Sequence, residues 1–203
     1  ATIGVLILPY VHMITTGIGN MINSFTELQP VLMSMLISMD LVLLLYALST
    51  VAIAIAIGIS GIAAGSASIG IAATEAVLLI GTSQVNRAGV PISIFFGGVK
   101  MMMPNMVRYP VIMLPILITA AVSGIASGIV GIAGTKESAG FGFIGMVGPI
   151  NAFKFMGIDS AWLSLLLIII AFFIVPFFVA WILDILLRKV FKIYTNNIFK
   201  FLA

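Results

Sequence analysis

The chain has 203 residues, 62% of them apolar and 7% charged, with nine Lys or Arg against six Asp or Glu. Soluble domains run at roughly 25% charged and 45–50% apolar, and a water-soluble chain of this length has too little interior to hide such an excess. Composition therefore argues against soluble globular, disordered and nucleic-acid-binding classes and for an integral membrane protein. There is no Cys, so disulfides, thiolate metal sites and cysteine nucleophiles are absent. The net charge of +3 comes from very few groups and says more about orientation than about partners.

A bilayer core about 30 Å thick takes roughly 20 apolar residues per helix. Residues 1–19 approach one such span, interrupted by Pro9 and His12. The chain begins with Ala in an apolar run, without a preceding basic region or a following cleavage site. It does not read as a signal peptide, and N-terminal sequence is expected to be missing. Residues 20–30 are polar and hold Asn20, Asn23, Thr26, Glu27 and Gln29 before Pro30, which suits the first turn of a helix. Residues 31–48 form a second span with Asp40 near its centre. The run 51–80 is too long for one untilted span, and predicts a broken helix or a helix plus a hairpin. Residues 81–110 are punctuated by Gln84, Asn86, Arg87, Lys100, Asn105 and Arg108. A third span covers 111–132, with a kink expected at Pro115. Residues 133–159 are Gly-rich and too interrupted to cross. The last and most apolar span is 161–187, with Pro176 inside it, followed by a basic tail over 188–200.

The alternation of 51–60 has the period of a strand, but a lone strand in lipid leaves its backbone unpaired, and a barrel needs many such segments. The fold expected is all-α: a polytopic transmembrane helical protein with broken or re-entrant Gly-rich segments, forming one transmembrane domain over 1–203. Lys and Arg cluster at Arg87, Lys100 and Arg108 and again at Arg188, Lys189, Lys192 and Lys200. Two spans separate these clusters, so both can share the cytoplasmic face, with 133–159 at the other face or folded into the membrane.

Glycines concentrate at 58–81 and 124–148. They serve close helix packing, or they free backbone groups for a substrate where protein or water covers the break. Ser60-Gly-Ile-Ala-Ala-Gly65 echoes Ser123-Gly-Ile-Ala-Ser-Gly128, a possible trace of duplication. Ionisable groups in apolar segments usually face a cavity or a partner. Asp40 reads as an ion or proton site, or as the partner of a basic side chain. Glu75 reads as an ion or proton site, a ligand for a substrate hydroxyl, or an interfacial charge. His12, the only His, can hydrogen-bond a substrate or a helix carbonyl. Phosphate-loop, zinc-protease and nucleophile-elbow motifs are absent, and no cofactor is implied.

Three stretches carry a family resemblance. They are Thr15-Thr-Gly-Ile-Gly-Asn-Met-Ile-Asn-Ser-Phe-Thr-Glu-Leu-Gln-Pro30, Gly97-Gly-Val-Lys-Met-Met-Met-Pro-Asn105, and Ser138-Ala-Gly-Phe-Gly-Phe-Ile-Gly-Met-Val-Gly-Pro-Ile-Asn151. In order and spacing they resemble the sugar permeases of bacterial phosphotransferase systems, the enzyme IIC subunits. The closest likeness is to a small branch also labelled a regulatory membrane protein. It covers nearly all of this chain and about the C-terminal two-thirds of the family domain, hence the expectation of missing N-terminal spans. The resemblance implies a multi-pass protein of the bacterial inner membrane, homodimeric, with a cytoplasmic C-terminus and re-entrant hairpins near a sugar site. A soluble partner subunit would carry the phosphate, which fits the lack of Cys. Better-studied branches hold sugar with a Glu and a His near the hairpin tips. Glu137, next to Ser138, and His12 are the loose counterparts here, although a Pro is expected near Lys136 and Glu137. Asp40 is also atypical of the branch.

Three functions follow. The first is a permease binding a small polar solute, expected to be a carbohydrate, through Asn20, Asn23, Thr26, Glu27 and Gln29, with Lys100 and Asn105 near a phosphate. The second is an ion-coupled or channel-type transporter using Asp40. The third is a non-transporting sensor or scaffold.

Overall fold

The structure is a computed structural model that describes residues 2–44 and 50–202. Ten α-helices are described: α1 (Thr2–Leu28), α2 (Pro30–Leu44), α3 (Thr50–Ile57), α4 (Gly61–Ser83), α5 (Gly89–Phe95), α6 (Met103–Arg108), α7 (Met113–Val130), α8 (Val147–Phe155), α9 (Ala161–Ile169) and α10 (Val175–Ile185). No strand occurs among the described residues, and the alternating run after Val51 is helical. Three helices are long and apolar enough to cross a membrane: Gly61–Ser83, Pro110–Val130 and Ala161–Val190. At 27 residues, α1 reaches about 40 Å and is also long enough.

The long run 51–80 is broken, as its length requires. Gly58 and Gly61 take the left-handed conformation, with φ of 77° and 57°, and Ser60 between them is extended. On one side α3 ends at Ile57. On the other, α4 runs deep through the bundle. Of the α4 span, 89% is buried inside the chain, against 28% of Ala161–Val190, so α4 is the central helix. The outer helix shows Trp162, Leu166, Ile174, Phe178 and Trp181 at its surface, as lipid contact requires.

Prolines are absorbed by two devices. Pro115 stands in the first α-helical turn of α7, just after the 3₁₀ turn Pro110–Ile112, where a missing N–H breaks no α-helical bond. Pro176 sits inside a continuous run, and there the preceding turn, Ile170–Ile174, widens to a π-helix. Such a bulge accommodates the bond that proline cannot donate.

In lipid the hydrophobic effect does not drive helices together, and small residues and hydrogen bonds do so instead. Antiparallel α2 and α7 show this. Gly128 of α7 faces the backbone at Pro30 and Val31, and Gly124 faces Ser34 and Met35. Ser38 donates to the carbonyl of Ala120 at 2.7 Å. From the other side Gly70 of α4 lies against the Ser38 backbone. Ser66 of α4 and Ser127 of α7 meet at 3.2 Å. The two echoing hexapeptides play different parts: one opens α4 at a break, and the other lies within the last turns of α7.

The bundle has two chemically distinct ends. The C-terminal end of α1 and the start of α2 share one end with the 58–61 break and the turn after Val130. Residues 81–109 and the tail share the other. Gly70→Val is expected to destabilise the bundle by about 1–3 kcal/mol, because any side chain there collides with the α2 backbone. Gly17→Ala, in open space on α1, is the neutral control. Thermal aggregation of the detergent-solubilised variants reads the difference.

Candidate functional site

The site builds from the break before α4. Asn23 of α1 bridges it: its amide donates to the Gly58 carbonyl at 3.4 Å, and its side-chain oxygen accepts from the Ser60 N–H at 3.0 Å. A second break follows α7, where Gly131 turns left-handed at φ 73°. The two breaks pair with each other. The Gly61 N–H donates to the Gly134 carbonyl at 3.0 Å, and the Gly134 N–H returns to Gly61 at 2.9 Å. Unpaired backbone at membrane depth is thereby satisfied by a two-bond bridge. Ser138, fully buried, closes the next turn: its hydroxyl donates to the Thr135 carbonyl and accepts from the Thr135 N–H.

Over this bridge lie two adjoining cavities of about 400 and 520 Å³. Asn23, Thr26 and Glu27 line the first. Thr135, Lys136 and Glu137 line the second, and both share Ser60 and Gly61. Their size suits a small ligand. Amide, hydroxyl, carboxylate and ammonium groups of both signs face one space. Hydrogen bonding from its own backbone N–H, then from Thr135, holds the exposed Glu137 carboxyl below the usual range, with the Lys136 charge adding to this. Glu137 therefore stays an acceptor at neutral pH. Thr26 spends its donor on the Ile22 carbonyl at 2.7 Å, leaving lone pairs for the cavity. Such a set can hold hydroxyls, and it contains no nucleophile paired with a base. Among the described residues no cluster of His, Cys, Asp or Glu could hold a metal ion.

Of the residues singled out in the sequence, Asn23, Thr26, Glu27 and Glu137 thus come together, and Ser138 supports them. Asn20 and Gln29 are exposed at the same end, outside the lining of these cavities. His12 is exposed higher on α1, about 22 Å from Glu27 along the helix. There it pairs with its own helix, its ring 3.4 Å from the Thr16 hydroxyl. Asp40 lies on the exposed side of α2. Glu75 is fully buried on α4, and one carboxylate oxygen accepts from the Phe143 N–H at 3.0 Å. Ser60, Thr135 and Lys136 were not singled out. The signal for the last two was their adjacency to Glu137; Ser60 gave only the hexapeptide echo.

Lys100 and Asn105 belong to the opposite end. Lys100 is exposed there. Asn105 is fully buried and committed to the chain's own tail. Its amide donates to the carbonyls of Ile198 and Lys200 at 2.8 and 2.7 Å, and its oxygen accepts from the Leu202 N–H at 3.2 Å. Asn86 does the same one register earlier, donating to Phe199 and accepting from Phe201, both at 2.8 Å. Each side-chain amide stands in for a neighbouring strand. Phe199 packs its ring on Gly81, and Arg188 pairs with Asp184 at 2.8 Å. The described Asn105 side-chain bonds all go to the tail.

An all-α bundle with helices long and apolar enough to cross a membrane is that of a polytopic membrane protein. The chain matches the family model "Phosphotransferase system, EIIC" over residues 1–201, and it belongs to that family. No curated protein and no solved structure matches the chain. Members of the family are membrane components that work with the soluble proteins of phosphotransferase systems.

Asn105→Ala is expected to free the tail, removing several hydrogen bonds at a buried site and destabilising this end by about 1–3 kcal/mol. Carboxypeptidase digestion in mild detergent measures it, with faster release of C-terminal residues than in the unsubstituted protein.

Proposed function

We propose that the chain is a permease subunit that binds and translocates a small polar solute, of carbohydrate type, across the bacterial inner membrane. The observation that carries this reading is the meeting of Asn23, Thr26 and Glu27 with Thr135, Lys136 and Glu137 over the paired helix breaks. Solutes in broken-helix transporters bind where irregular backbone lines a cavity, and hydroxyl-rich solutes need this mixture of donors and acceptors. Membership of the enzyme IIC family supports the same reading and implies soluble phosphotransferase partners. A homodimer, as the family resemblance implies, is part of the proposal.

Charge supports an orientation. Arg87, Lys100, Arg108, Lys189, Lys192 and Lys200 are all exposed, and the docked tail brings their segments to one end. Basic residues favour the cytoplasmic side, so the C-terminus is cytoplasmic and the polar cavity opens to the opposite face. Asp40, outside the cavity lining, offers less support for ion-coupled transport.

Uptake of radiolabelled sugars into vesicles containing the chain and its soluble partner proteins tests the proposal. Glu27→Ala and Lys136→Ala are each expected to lower uptake about tenfold, equivalent to about 1.4 kcal/mol of lost binding. Glu27 and Lys136 are both exposed, so neither substitution disturbs the core. Uptake unchanged by both variants would refute the assignment of the cavity.

A further inference from the structure

One side of α4 is a file of small and polar residues: Gly61, Gly65, Ser68, Ala72 and Glu75, spaced three and four apart so that they stack on one face. The irregular segment 132–148 lies along this file. Gly61 pairs with Gly134, Gly65 faces the Ile132 carbonyl, Ser68 faces Gly148, and Ala72 and Glu75 face Gly142. Up to Phe143 the segment is built of turns, then a 3₁₀ turn at Ile144–Met146 leads into α8, and the buried Phe143 ring stacks on Phe173 and Phe177. Gly142, Gly145 and Met146 all have positive φ, at 57°, 57° and 59°. A side chain at Gly142 would lie 2.6 Å from the Glu75 carboxylate, and one at Gly148 would strike the Ser68 hydroxyl.

Beneath the segment two polar atoms stand without partners. Glu75 has no exposed surface, yet only one of its oxygens is bonded, to the Phe143 N–H. Its other oxygen is buried with no hydrogen-bond partner, and so is the Ser68 hydroxyl oxygen, two turns away on the same face. A buried, unsatisfied polar group is destabilising by about 1–3 kcal/mol, and a carboxyl group is a far costlier one to leave in a packing interface than the lone serines Ser34 and Ser123 elsewhere in the bundle. Glu75 is not needed to hold the segment by both oxygens, since one suffices.

We infer that segment 132–148 is a cap closed over an inner binding site formed by Ser68 and Glu75, and that the Phe143–Glu75 hydrogen bond is its latch. The site takes an uncharged, hydroxyl-bearing solute: a carboxylate oxygen and a hydroxyl two turns apart accept from a polyol, and no basic side chain is bonded to Glu75 to favour an anion. This inference rests on the permease reading and extends it. The same segment supplies Thr135, Lys136 and Glu137 to the outer cavity. Solute in that cavity therefore touches one end of the strap whose other end covers Glu75. The file on α4 leads about 21 Å from Gly61 to Glu75, towards the basic end of the bundle.

The natural absence of Cys makes the test direct. Ser68→Cys is introduced alone, and Thr74→Cys, on another face of α4 and bonded to the Gly70 carbonyl, serves as the reference. Proteoliposomes are treated with a membrane-impermeant maleimide. Ser68→Cys is expected to label slowly, and at least about tenfold faster once Glu75→Ala removes the latch, a change of roughly 1.4 kcal/mol in cap closure. Thr74→Cys should stay unlabelled in both backgrounds. A mixture of hexoses and hexitols should protect Ser68→Cys, and sodium or potassium chloride should not. Equal labelling at both positions, or no acceleration by Glu75→Ala, would overturn the cap. Protection by salt alone would overturn the solute class. Labelling reads the cap without transport, so failed uptake beside a protected Ser68→Cys would sink the transport reading and leave the inner site standing.

Discussion

Every interruption of a helix inside a bilayer exposes backbone groups that lipid cannot satisfy, and each unpaired group costs several kcal/mol. This protein meets that constraint by letting two interruptions satisfy each other. Gly61 and Gly134 exchange both of their hydrogen bonds, and the rest of the polar end is arranged around them. The bridge joins the first residue of α4 to the turn after α7, which fixes the two central helices relative to each other. It forces the residues that follow Gly134 to run beside α4. It also leaves space above the bridge, where α1 brings Asn23 to tie down the second flank of the break. The cavity is the consequence of that pairing.

Small residues make the pairing possible. Gly70, Gly124 and Gly128 let α2 sit directly against the backbones of α4 and α7, and the hydroxyls of Ser38, Ser66 and Ser127 add hydrogen bonds across the helices. In contrast, the outer helix Ala161–Val190 presents bulky apolar side chains to lipid. Size in the interior and bulk on the outside invert the pattern of a soluble bundle. Segment 132–148 meets α4 through its glycines, and it also carries two large buried side chains, Ile132 and Phe143, into the core.

Composition and span length were enough to read the class, the order of the elements, and the break within 51–80, because these depend on hydropathy and helix rise alone. The rejection of a strand at 51–60 held for the same reason. Pro115 falls in the first α-helical turn of α7, after a 3₁₀ turn that hydropathy does not distinguish, and position in the helix decides a proline's effect. The cluster at 20–29 was visible as polar density, but its partners Thr135 and Lys136 lie more than a hundred residues away, and only the Gly61–Gly134 bridge brings them near. Asn105 illustrates the opposite difficulty. An amide in a polar segment looks like a ligand for solute, yet its geometry matches a backbone strand equally well, and the tail supplies one.

That tail makes the two ends of the bundle unlike in kind. At the basic end Asn86 and Asn105 clamp residues 198–202 from both sides, and Phe199 covers the last turns of α4 at Gly81. At the polar end the break above α4 stays accessible through the cavity. The two ends of α4 are therefore fastened differently. Its C-terminal end is held under the tail by side-chain amides gripping backbone, several bonds that must break together. Along its other face the segment that covers Glu75 is held by one hydrogen bond from the Phe143 N–H to the carboxylate and by the Phe143 ring, buried and stacked on Phe173 and Phe177. One fastening is a network of amides and backbone; the other is a single carboxylate beside an aromatic stack, and the two respond to different substitutions.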